Sequence, residues 1–118
     1  MLLLLTALAL RLGFVFGGLP AIEPRLALRY DADNYTAIAA SIWRGEWTDV
    51  ERGPVYPLLV AACGGSLTVV RVVQAVVDTV TVLLLFLLGR RWWNQRLGLA
   101  AGWLYALYPL AWWRVGFV

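Results

Sequence analysis

A chain of 118 residues that is 62% hydrophobic, with a mean hydropathy of +0.74, carries more apolar surface than a soluble domain of its size buries, so much of it must face lipid. Its formal charge of +3 arises from ten basic residues against seven acids, and since all ten are arginine and histidine is absent, imidazole metal sites and a serine–histidine triad are excluded. The arginines are scattered, which argues against nucleic acid as a partner, and the single Cys63 can form neither an internal disulfide nor a two-thiol metal or redox site.

Residues 2–19 form the first candidate span, interrupted only by Arg11 and the small residues Gly13, Gly17 and Gly18. About eighteen residues rising ~1.5 Å each cross a hydrocarbon core of roughly 30 Å, so one helix suffices. A cleaved signal peptide is the rival reading, weakened by the missing basic segment at the start and by the lack of a clear A-x-A site before Pro20. An arginine near mid-span costs about 2.5–3.5 kcal/mol on insertion scales, so Arg11 is expected to face other helices as a packing residue.

The connection over residues 20–68 holds most of the charge. From Glu23 to Arg52 it has six acids (Glu23, Asp31, Asp33, Glu46, Asp49, Glu51) and four arginines (Arg25, Arg29, Arg44, Arg52). Within it Tyr35, Ile38, Ala39, Ile42 and Trp43 recur at helical period, which predicts a short helix started by a cap at Asp31 or Asp33 and ended at Gly45, its apolar side toward the membrane. Pro54 opens a second apolar segment, Val55 to Cys63, too short to span and stopped by Gly64-Gly65-Ser66, hence a second interfacial or shallowly inserted helix.

The second span is expected over residues 69–89 and the third over 97–115, kinked or thinned at Pro109. In the second span Arg71, Gln74 and Asp78 share one helical face, which in lipid must point into the protein. The short loop Arg90–Arg96 has three arginines and no acid and is therefore cytoplasmic, which sets the first loop outside and the N-terminus inside. Trp92-Trp93 and Trp112-Trp113 bracket the third span as an aromatic belt at each interface would. The expected fold is thus all-α and integral to the membrane, with about three transmembrane helices and two interfacial helices in the first external loop.

The order of the pieces carries further information. A first span is followed by Asp31-x-x-x-Tyr35-x-x-Ile38-Ala39, Gly45, Arg52-x-Pro54-x-Tyr56-Pro57, Val70-Arg71-Val-Val-Gln74-Ala75 and Gly89-Arg90-Arg91, then Gly98-Leu-Ala-Ala-Gly-Trp-Leu-Tyr105-Ala106-Leu-Tyr108-Pro109. Over essentially the whole chain this resembles the N-terminal part of the GT-C membrane glycosyltransferases, and within them the bacterial dolichyl-phosphate-mannose-protein mannosyltransferase-like (glycosyltransferase 39-type) group that includes the lipid A aminoarabinose transferase. The resemblance implies transfer of a sugar from a polyprenyl-phosphate donor to a protein, lipid or glycan acceptor on the outer face of the cell membrane. It implies Asp31 as the catalytic carboxylate and Arg52 as the contact to the donor phosphate, with Arg29 a weaker candidate and Tyr35, Tyr56 and Asp33 as further substrate contacts.

The residue types suit that chemistry. An attacking hydroxyl must lose a proton, which a carboxylate can take, and a departing polyprenyl phosphate gathers charge that a guanidinium meets with bidentate hydrogen bonds. Ala32 stands where many relatives carry a second acid, so no metal is assigned, and Gly53 stands where a second proline is common, which loosens the segment that presents Arg52. Family members run to several hundred residues, so the chain is expected to be a fragment, inactive alone. Two other classes remain: a small multi-helix transporter, for which Asp78 is the only acid inside a span, and a non-catalytic membrane subunit.

Overall fold

A computed structural model describes residues 1–26, 29–46 and 55–116, with side chains throughout except over 23–33. Among the described residues every regular element is helical: α1 (Leu2–Gly13), a π-helical turn (Phe14–Gly18), α2 (Leu19–Leu26), α3 (Arg29–Trp43), α4 (Val55–Ala62), α5 (Leu67–Trp92), α6 (Gln95–Ala106) and α7 (Pro109–Gly116).

Two stretches are long and apolar enough to cross a membrane, Leu2–Ile22 and Leu67–Trp92. Only 28% and 17% of their apolar windows are buried, so each leaves most of its hydrophobic surface outward, unlike the core helix of a soluble protein.

The first stretch is continuous but widened. Leu19 N–H donates to Phe14 O, five residues back, just before Pro20, whose ring has no N–H to give and would crowd the carbonyl four residues earlier. The π turn absorbs that conflict without breaking the helix. It also sets Phe14 and Leu19 against α7, where a side chain at Gly116 would meet both at 2.9 Å.

The two helices between the long ones are each closed by a Schellman motif. In α3, Gly45 N–H donates to Ile42 O and Glu46 N–H to Ser41 O, with Gly45 at φ 77°, as expected for its stop position. In α4, Gly64 N–H donates to Ala61 O and Gly65 N–H to Val60 O, with both glycines at positive φ, so Gly64-Gly65 ends that helix.

Two expectations about this region are corrected. Residues 29–43 are helical, so Asp31 and Asp33 lie inside the helix rather than capping its start. Its apolar stripe is also largely covered by protein: Ala39, Tyr35 and Ile42 pack on Tyr56, Val60 and Ala61 of α4 and on Val70 of α5. A stripe this narrow is satisfied by one neighbouring helix, and Trp43 seals the pair by donating Nε1–H to Ala61 O at 3.1 Å.

α5 starts at Ser66, whose hydroxyl accepts from Val69 N–H, and runs through Arg90 and Arg91 to Trp92. Asn94 then caps α6 by accepting from Leu97 N–H at 3.0 Å, so the expected loop shrinks to a two-residue turn. The helices close tightly because glycine faces glycine. A Cβ on Gly89 would lie 2.7 Å from Gly98 Cα, and one on Gly98 would lie 2.6 Å from Phe86 O. One turn on, Gly102 makes room for Leu3 of α1, whose neighbours Ala7, Val82 and Ala106 complete a core shared by α1, α5 and α6.

The third apolar segment is broken, not merely kinked. α6 ends at Ala106, Leu107 adopts φ −90° and ψ −5°, and α7 restarts at Pro109, giving helices of 12 and 8 residues, neither of spanning length alone. Pro109 disfavours helical backbone at Tyr108 and breaks the ladder there, so the carbonyl of Ala106 does not receive the Leu110 N–H that an unbroken helix would give it. The indole of Trp112 takes that place at 2.7 Å, and Trp113 packs on Phe14 with ring centroids 6.3 Å apart. Both tryptophans thus make contacts within the bundle.

Candidate functional site

The residues singled out in the sequence fall into three groups. Tyr35 and Tyr56 come together. Asp31, Asp33 and Arg29 lie on the first turns of α3, with side chains outside the described set, and Arg52 lies outside the described residues altogether.

Tyr35 of α3 and Tyr56 of α4 meet edge to face, ring centroids 4.8 Å apart at 68°. Gln74 of α5 donates Nε2–H to Tyr56 Oη at 3.1 Å, so this pair ties the α3–α4 hairpin to the long helix. Burial pushes the Tyr56 phenol above its ordinary value of 10.0; the Gln74 bond and the nearby Arg71 charge pull the other way, and Tyr35 adds to the rise. Tyr56 is therefore a neutral hydroxyl at physiological pH, able to donate one hydrogen bond and accept another.

Further along the same α5 face is a denser polar cluster. Arg11 of α1, 0% exposed, pairs through Nε with Asp78 Oδ2 and donates Nη1–H to Ala7 O at 2.9 Å. Tyr105 of α6 donates Oη–H to Asp78 Oδ1 at 2.7 Å, and the Arg11 guanidinium lies 5.9 Å from the Tyr105 ring centroid. Both carboxylate oxygens are thus occupied, and one arginine, one acid and one phenol lock three helices together. The expectation that Arg11 faces other helices holds, and so does the inward-pointing polar face of α5.

Beside this cluster opens a cleft of about 340 Å³. Its polar wall is Gln74, Asp78, Thr81, Tyr105 and Arg114, and its apolar wall is Leu59, Val73, Val77 and Val115. Sequence reasoning passed over Arg114. The signal was present, an arginine in an apolar segment with no acid near it in sequence, but it lay beyond the motifs that drew attention to the first loop.

No protein-family model, no characterised protein and no solved structure matches the chain. What the fold and site define directly is an all-helical chain with two membrane-length apolar helices, a buried ion pair between them, and an aromatic–amide cluster where the α3–α4 hairpin joins α5.

Proposed function

We infer that the chain is the N-terminal, membrane-embedded part of a GT-C-type glycosyltransferase that moves a sugar from a polyprenyl-phosphate carrier to an acceptor hydroxyl outside the cell membrane. In this reading α6 and α7 together make a third crossing, the Arg90–Arg96 turn is cytoplasmic, and the α3–α4 hairpin lies on the outer face.

The observation that carries the reading is the contact between Tyr35 and Tyr56. Two residues 21 positions apart, each drawn from a separate motif of the resemblance, meet in one cluster with Gln74 of a third motif.

The reaction is a displacement at the anomeric carbon. The acceptor oxygen forms the new C–O bond, its proton passes to the Asp31 carboxylate, and the bond to the phosphate oxygen breaks. The polyprenyl phosphate leaves with the bonding electrons, and Arg52, three positions ahead of α4, meets that charge. The transporter reading is less favoured because Asp78, the acid it needs, is held by Arg11 and Tyr105.

Binding of a polyprenyl-phosphate-linked sugar, in detergent micelles, to a full-length enzyme that carries this chain as its N-terminal part tests the reading. Arg52→Ala is expected to weaken it by about tenfold or more, the loss of a charge-assisted hydrogen bond, and Arg52→Lys to recover part. Equal affinity in all three forms returns Arg52 to the role of a loop cation facing headgroups.

A further inference from the structure

We propose that the cleft beside Asp78 is a seat for one anionic membrane lipid, its phosphate held by Arg114 and Gln74 and one chain lying along Val73 and Val77. This site is independent of the sugar transfer inferred above.

The first support is charge. Within the cluster Arg11 neutralises Asp78 and Tyr105 fills its second oxygen, so the cleft has no uncompensated acid. Arg114 is exposed on its wall and, among the described residues, has no ion-pair partner. A guanidinium set against apolar walls is costly until an anion meets it, and phosphate does so bidentately.

The second support is the amide of Gln74. Its Oε1 is buried and has no hydrogen-bond partner, while its Nε2 donates to Tyr56 Oη. Nε2 carries two N–H groups and only one serves Tyr56, so the other is a donor for an anion in the cleft that Gln74 lines.

Depth and shape fit a lipid rather than a soluble anion. Val115, next to Arg114, packs on Ala75, eight residues into α5, about 12 Å from that helix's start. The 26 residues of α5 measure about 39 Å against a hydrocarbon core of roughly 30 Å, which puts Arg114 about 8 Å below one border, within the reach over which arginine snorkels to lipid phosphates. Val77 is 61% exposed, so the cleft opens sideways, where a lipid chain enters without leaving the bilayer.

Native mass spectrometry of the chain released from micelles doped with dioleoyl phosphatidylglycerol or dioleoyl phosphatidylcholine reads the outcome. One tightly retained phosphatidylglycerol is expected, with phosphatidylcholine held at least tenfold less. Arg114→Gln should reduce retention about tenfold or more, Arg114→Lys should keep part of it, and excess inorganic phosphate should not displace it. Arg90→Gln, at the far end of α5, and Arg52→Ala, which tests the transfer reading, should both leave it in place. Equal retention of the two lipids, full retention by Arg114→Gln, displacement by inorganic phosphate, or loss on Arg90→Gln overturns the proposal.

Discussion

Arg11 on α1 donates from Nε to Asp78 on α5, joining two membrane-length helices through residues that stand 67 positions apart in the chain. The pair is sheltered, with the arginine wholly buried, and Tyr105 completes it from α6. Removing one member of such a pair leaves a charge without compensation, whereas removing both charges does not.

Arg11→Leu is accordingly expected to destabilise the bundle by about 3–5 kcal/mol, measured as thermal or denaturant unfolding in micelles. Arg11→Leu combined with Asp78→Asn should recover much of that, because the asparagine oxygen still accepts from Tyr105. A double variant no more stable than Arg11→Leu alone would show that the contact contributes through packing instead.

The α5–α6 seam predicts a contrast between two glycines. In Gly98→Ala the new Cβ meets backbone atoms, Phe86 O at 2.6 Å and Arg90 N at 2.8 Å, so the helices must part, at a cost of about 1–3 kcal/mol. Gly13→Ala meets nothing within 4 Å and should be neutral or stabilising by up to about 1 kcal/mol. Melting temperatures of the two variants decide it, and equal shifts would contradict the close approach.

Tyr56→Phe keeps the ring against Tyr35 but gives up the bond to Gln74, so a loss of about 1 kcal/mol is expected. Its raised phenol pKa adds a pH signature. Below about pH 10 the tyrosine is protonated in both folded and unfolded chains and its contribution is fully present; as pH rises the unfolded chain ionises first, and that contribution is lost on the way to the folded pKa. Unfolding followed from pH 9 to 11 should show a steeper decline in the parent than in Tyr56→Phe.

Orientation is tested by single cysteines in a Cys63→Ser background. A cysteine at Asn94, in the arginine-bearing turn, should react only from the cytoplasmic side, and one at Asp49 only from outside. Labelling of both from one side would show that α5, the only membrane-length helix among the described residues between these positions, does not cross, and would sink the three-span topology.

Much of the architecture was legible because it rests on local signals. Long apolar runs gave the two membrane-length helices, positive-φ glycines gave the stops at Gly45 and Gly64, and helical period put Arg71, Gln74 and Asp78 on one face. What was not legible depended on partners. A stripe containing Tyr35 and Ala39 reads the same whether lipid or α4 lies against it, and Asp31 is as acceptable in a first helical turn as before it. The break at Leu107 was half visible through Pro109, but its repair by the Trp112 indole needed the fold. Likewise the sequence required a partner for Arg11 without saying that Asp78 and Tyr105 would share the task.

Sugar transfer by a full-length enzyme that carries this chain as its N-terminal part, with Asp31→Asn, tests the central claim most directly, transfer from a polyprenyl-phosphate donor being measured beside donor binding. Asparagine preserves size and can accept a hydrogen bond but cannot take the acceptor's proton, so transfer should fall by about 10²-fold or more while donor binding is kept. Asp33→Asn, two positions on along α3, should be milder. Near-parental transfer by Asp31→Asn, or inactivity confined to Asp33→Asn, would contradict the assignment of Asp31 as the base.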